Sequence, residues 1–226
     1  MWIVRRGDNE ELRYSIRSVT KNLPHGKVWV IGTPPAWYTG SRIPAPINES
    51  SRFANVKAST QTAATHPAIS DPFVLLHDDQ YLMEHIDGIK PTHAGPLAPS
   101  NPRATTQRNE ARASTLAVLN TAGISNPLTY DGLHTPLLVH KAHMATANKL
   151  VAKHGKADTW ERTVYGNLAD LGGAFATDCK VRHETDATPD GPWISSLDRT
   201  FATHPQPLLA ATFPEASDYE AAASGE

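Results

Sequence analysis

Cysteine is nearly missing from this sequence. Cys179 is the one thiol in 226 residues, so no internal disulfide can form, and the composition points to a reducing compartment. No stretch approaches the roughly 20 apolar residues that cross a bilayer. The opening Met1-Trp2-Ile3-Val4-Arg5-Arg6 has neither the long apolar core nor the small-residue cleavage site of a signal peptide. These absences predict a cytoplasmic protein without membrane contact. An excess of positive charge is missing too: 21 Lys and Arg stand against 23 Asp and Glu, a net charge of -2. A broad non-specific grip on nucleic acid needs the opposite balance, although a local basic groove is compatible with it. There is no HExxH and no Cys/His array, which argues against structural zinc. There is no GxSxG elbow and no P-loop. No internal repeat occurs.

What is present is ordinary globular material, 39% apolar and 19% charged, long enough to hide roughly 70% of the surface its unfolded chain exposes. The expectation is one α/β domain over residues 1–220, with a fraying tail over 221–226. Trp2 to Arg6 reads as a short strand. Asp8 and Glu11 form the pattern of a capping box, and Leu12, Ile16, Val19 and Leu23 follow at helical spacing until Pro24. Lys27 to Ile31 is a near-continuous apolar strand of the kind buried in a parallel sheet. Strand, helix and strand make a βαβ opening. Prolines then break the pattern up to about Ser70, with one short helix predicted over 58–65. A sharper strand, Phe73-Val74-Leu75-Leu76, runs into His77-Asp78-Asp79-Gln80. Four prolines between 91 and 102 predict a loop. Helices are expected over 103–122, 141–154 and from Asp158 towards Gly172-Gly173. Short strands are expected over 135–139 and 180–182, and a last short helix near 195–203.

The acid pair carries the strongest chemical signal. An apolar strand ending in two carboxylates delivers them to the C-terminal edge of a sheet, where open α/β folds bind ligands. Two adjacent acids in a dry cleft demand a cation, and magnesium or manganese holding a diphosphate is the natural candidate. A solvated turn after an edge strand is the plain alternative. A second cluster is basic: Arg5 and Arg6 at the end of the first strand, with Arg13 and Arg17 four apart on one helix face. Arginine forks near a helix N-terminus suit an anion, while Arg17 reads more simply as part of a solvated face. Eleven histidines are many. Most read as ordinary surface or core residues; His134 stands out in the loop after Tyr130-Asp131-Gly132. His183 is a candidate late metal ligand or phosphate contact. Cys179 reads as a core residue.

One stretch resembles a family. Asp8-Asn9-Glu10-Glu11-Leu12-Arg13-Tyr14-Ser15-Ile16-Arg17-Ser18, then Leu23-Pro24, Val28 to Ile31 and Pro35-Ala36-Trp37, is similar to the second conserved region of the Stealth sugar-phosphate transferases. The similarity continues through Ala68-Ile69-Ser70 and Phe73 to Leu76, and His77-Asp78-Asp79 stands where that family has Asn-Asp-Asp. His134-Thr135-Pro136 is a weaker match to its His-Met-Pro, and Arg162 to its late arginine. The family's first region, with its aspartate-rich strand, has no counterpart here.

The resemblance implies a compact, phage-type relative with a GT-A-like Rossmann-type core, a mostly parallel sheet flanked by helices. It implies a metal-dependent glycosyltransferase using a nucleotide-sugar, most simply a UDP-sugar, with manganese or magnesium at Asp78, Asp79 and His183. Arg5, Arg6, Asp8 and Arg13 would take the nucleotide side, and Asp79, His134 and Arg162 the chemistry. The implied acceptor is a glycan or a hydroxylated base of phage DNA, in the host cytoplasm if the chain is phage-encoded, with the protein a monomer or weak dimer. The alternatives are transfer of sugar 1-phosphate, as in the Stealth proteins themselves, and a non-catalytic nucleotide-sugar or nucleic-acid binding module.

Overall fold

In the computed structural model of the chain, the described residues are 1–5, 7–46, 52–183, 186, 189 and 191–222, with the backbone alone for Arg52. Arg6 and residues 223–226 of the expected tail lie outside them.

A mostly parallel sheet organises the fold, with helices on both faces. Its strands are β1 (Trp2–Ile3), β2 (Trp29–Ile31), β3 (Ser41–Ile43), β4 (Phe73–His77) and β7 (Leu137–Val139), in the order β3-β2-β1-β4-β7. The first four are mutually parallel and β7 runs antiparallel to β4. Alternation along each strand explains why both faces are apolar. Trp2, Val30 and Leu76 point into one core with Leu12, Ile16 and Val19 of helix α1 (Glu10–Asn22). Ile3, Ile31 and Leu75 point into the other. That second core is covered by α2 (Arg52–Thr65), α3 (Thr106–Thr121), α4 (Lys141–His154) and α5 (Glu161–Leu168).

Two small sheets extend the main one. β5 (Gln80–Leu82) pairs with β9 (Trp193–Ser195), and β6 (Thr92–His93) with β8 (Ala174–Phe175). Two short helices, α6 (Asp198–Phe201) and α7 (Pro205–Thr212), close the chain.

Several expectations need correction. Asp8 and Glu11 form no capping box. Asn9 is the N-cap, its side-chain oxygen accepting from Leu12 N at 3.0 Å, while Glu11 turns inward. The helix expected from Asp158 begins at Glu161 and is only eight residues long. Ser195 lies in β9 and not in a helix. Residues 180–182 touch Ser195 through one isolated bridge at Lys180 without forming a strand. Ala221 is tied down, donating to Trp37 O at 2.7 Å, so fraying does not start there.

The strand order has a functional consequence. From β1 the chain moves outward through β2 and β3, then returns to lay β4 on β1's other side. The crevice at the C-terminal ends of β1 and β4 is therefore a topological switch point, the place where open α/β sheets receive ligands. Register brings Ile3 opposite His77, so Arg5 and the Asp78-Asp79 pair leave the sheet side by side.

Candidate active site

β4 ends because its last residues turn back on themselves: Gln80 Oε1 accepts from His77 N at 2.9 Å, and β5 begins at once. The turn lifts both aspartates over the sheet edge, with side chains 15% and 14% exposed. Each has its own partner. Asn9 Nδ2 donates to Asp78 Oδ2 at 2.6 Å, so this residue caps α1 with its oxygen and holds Asp78 with its nitrogen. Arg5 Nε lies 3.7 Å from the same oxygen. Lys180 Nζ donates to Asp79 Oδ2 at 2.6 Å, and the lysine side chain is 6% exposed.

Electrostatics divides the pair. Burial and the neighbouring Asp79 charge push Asp78 above the usual carboxylate range, against the Asn9 hydrogen bond and Arg5. Burial would also raise Asp79, but the charge and hydrogen bond of Lys180, with His77 and His134, together hold it below that range. Burial lowers the His77 imidazole to about 4 in spite of Asp79. Glu11 is 2% exposed, accepts from Ser196 Oγ at 2.7 Å and pairs with Arg5. Burial nevertheless pushes it up to about 7. Arg5 also pairs with Asp198, so one guanidinium, 40% exposed, serves three carboxylates.

The loop before β7 closes the other side. His134 Nδ1 lies 2.8 Å from Asp178 Oδ1, and Arg182 pairs with the other oxygen of that carboxylate. His134 acts electrostatically on both His77 and Asp79. Arg162, near the start of α5, donates through Nη2 to Thr135 O at 2.5 Å. Its Nε is buried without a hydrogen-bond partner. Burial lowers its pKa, while Asp131, Cys179 and Asp79 act against that loss of charge. Arg162 and His134, far from Asp79 in sequence, are thus its electrostatic neighbours.

Other candidates fall elsewhere. Asp8 is exposed just ahead of α1. Arg13 bonds Glu10 at 2.9 Å and Glu220 at 3.1 Å and lies over the Trp37 ring, 4.6 Å from its centre. Arg17 grips the same Glu220 through two 2.7 Å bonds. The basic face that suggested an anion site holds a carboxylate of its own chain. His183 is exposed, its N–H bonded to Asp186 at 2.9 Å. The important residues missed from the sequence are Asn9, Lys180 and Asp178. Lys180 acts across 101 positions, with no local pattern to announce it.

The acid pair as arranged does not fit a divalent metal. Among the described residues no three His, Cys, Asp or Glu side chains are grouped to hold one. The chemistry of the donors points the same way: Asp79 faces an ammonium and Asp78 an amide. The cation that two adjacent acids demand comes from the chain itself, so no step below runs through a metal.

No family model matches the sequence, and no curated protein matches it. Among solved structures the chain is similar to that of the galactosyltransferase LgtC in complex with donor and acceptor sugar analogues, with 11% identity and a TM-score of 0.47. The likeness covers 96% of this chain and 98% of that one. At such values it says nothing of what this chain binds or does.

Proposed function

We propose that this chain is a glycosyltransferase that uses a nucleotide-sugar and receives the donor diphosphate in the crevice between β1 and β4. One observation carries the reading: a charge-dense cluster at the switch point of the sheet, where Asp78 and Asp79, just past β4, lie beside Arg5, just past β1, and under the electrostatic influence of Lys180 and Arg162 from distant segments. A structural ion pair needs two charges. Here Arg5, Lys180 and Arg162 stand at one strand end among Asp78, Asp79, Glu11 and Asp198, and the buried Nε of Arg162 has no partner. Guanidinium forks match phosphate oxygens. In a cleft of low dielectric they offset the charge that develops on a departing nucleoside diphosphate.

In this reading Arg5 and Arg162 take the diphosphate. Asp79, kept ionised by Lys180, faces the donor sugar. His134 stands on the acceptor side, where an imidazole takes the proton of the attacking hydroxyl. The acceptor class is a glycan or a hydroxylated DNA base. The resemblance to Stealth proteins makes UDP-sugars the first donors to try and makes sugar 1-phosphate transfer the competing outcome.

The test is a donor screen with product mass. Incubation with UDP-hexoses and oligosaccharide or hydroxymethylated-DNA acceptors is expected to add one hexose. Addition of hexose phosphate would replace the reaction class. Binding of UDP without any transfer across the panel would point to a binding module. Parallel reactions with manganese and with EDTA read the contribution of a metal directly.

A further inference from the structure

His134 is held in a way that ordinary loop residues are not. The loop that carries it is pinned at its base, where Tyr130 N and Asp131 N both donate to Thr163 Oγ1, at 3.0 and 3.1 Å, and Thr163 N returns a bond to Asp131 Oδ2 at 2.8 Å. His134 itself has φ 52°, in the left-handed region. A non-glycine residue held there costs on the order of 1–3 kcal/mol and persists only where its surroundings enforce it. What it gains is the 2.8 Å contact between Nδ1 and Asp178.

Asp178 is itself fixed from three sides. Its Oδ1 accepts from Lys180 N at 3.1 Å as well as facing His134, and its Oδ2 pairs with Arg182. Burial would raise this carboxylate, but the His134 and Arg182 bonds hold it below the usual range. An ionised carboxylate only accepts, so the ring nitrogen facing it carries the hydrogen. The other nitrogen of the neutral ring then carries the lone pair. Lys180 links this arrangement to the acid pair: its backbone N–H braces Asp178 and its ammonium pairs with Asp79.

We propose that Asp178 is a positioning residue that fixes His134 as the Nδ1–H tautomer, leaving Nε2 as the general base for the acceptor hydroxyl. The inference rests on the transferase reading above. In the step, the acceptor O–H proton passes to Nε2 and the oxygen forms a bond to the anomeric carbon. The bond from that carbon to the diphosphate oxygen breaks, and its electron pair leaves on the nucleoside diphosphate. Asp178 touches neither sugar and acts only through the ring.

Nitrogen-15 NMR of the full chain tests this, with His134→Gln supplying the assignment. Two-bond correlations of the neutral ring are expected to show hydrogen on Nδ1 and a lone pair on Nε2. Hydrogen on Nε2 overturns the proposal, and this readout needs no variant of Asp178 to fold. In kinetics, Asp178→Asn is expected to lower kcat about 10–100-fold with donor KM unchanged, the range for losing a partner that fixes a working histidine's tautomer and orientation, and Asp178→Glu to recover part of it. A parallel loss of kcat, KM and Tm, with no recovery in Asp178→Glu, would make Asp178 structural and overturn the proposal. Absence of transfer with every donor overturns the transferase reading and the base role with it. An Nε2–H tautomer in an active enzyme overturns the role of Asp178 alone.

Discussion

Helix α1 carries two carboxylate networks of opposite character. On its outer side Glu220, 1% exposed, is saturated. Arg17 grips both oxygens at 2.7 Å, Arg13 adds a bond at 3.1 Å, and Ser217 donates from N and Oγ at 2.9 and 3.0 Å. Burial works against that carboxylate, yet these donors hold it at about 2. At the helix N-terminus, Asp78 and Glu11 are instead pushed up, and they share Arg5 with Asp198. Saturated charge fastens the segment around Glu220 to α1 and to Tyr38. Asp78 and Glu11 at the sheet edge have fewer donors and stay above the usual range, which is the feature that suggested a ligand there.

The contrast can be broken most strongly at Asp79. Asp79→Ala leaves Lys180 buried and unpaired, with an expected loss of about 3–5 kcal/mol in urea unfolding. The double variant Asp79→Ala, Lys180→Met is expected to recover most of it, because both charges are then gone. Additive losses would mean the two residues are not coupled.

Next in size is Glu220→Gln, expected to cost about 3 kcal/mol because the arginine forks lose their charged acceptor. The sign in pH follows from linkage. A folded pKa of about 2 lies below the ordinary 4.5, so the stabilisation is complete above about 4.5 and is lost as pH falls towards 2. Thermal unfolding between pH 2 and 6 checks this, and the Gln variant is expected to show a shallower acid slope.

Asn9→Ala is expected to cost about 1–2 kcal/mol by loss of the N-cap. Asn9→Ser should keep most of that stability while freeing Asp78. Asp8→Ser is expected to stay within about 0.5 kcal/mol, as surface changes do. An effect of Asp8→Ser equal to that of Asn9→Ala would return the cap to Asp8.

A further small effect is expected at Glu11. Its folded pKa of about 7 exceeds the ordinary 4.5, so the folded state binds more protons between those values and stability falls as pH rises through that window. Glu11→Gln is expected to flatten the fall and to gain about 1 kcal/mol at pH 8, read as Tm against pH. An unchanged profile would mean Glu11 is ionised throughout.

Much of this was legible in the sequence, for physical reasons. The βαβ opening shows because Leu12, Ile16, Val19 and Leu23 repeat at helical spacing and β2 is buried on both faces. β4 shows as an apolar run stopped by two acids. β3, β6 and β8, two or three residues each, are too short to carry periodicity. Asp8 and Asn9 are adjacent residues that both cap helices well. Asn9 takes the position with an amide that can both accept from Leu12 and donate to Asp78, which a carboxylate cannot do. Reasoning from charge alone reached the need for a cation at Asp78-Asp79 and supplied a metal. The fold supplies Lys180, a pairing that only the tertiary structure reveals. The Arg13 and Arg17 face was visible as a pair of cations, but their partner lies more than 200 positions away.

The most direct measurement is calorimetric titration of UDP into the wild-type chain, Arg5→Ala and Arg13→Ala under identical conditions. A donor crevice between β1 and β4 predicts one site per chain, at least tenfold weaker binding in Arg5→Ala, and unchanged affinity in Arg13→Ala. An absence of UDP binding, or an equal loss in both variants, would contradict it.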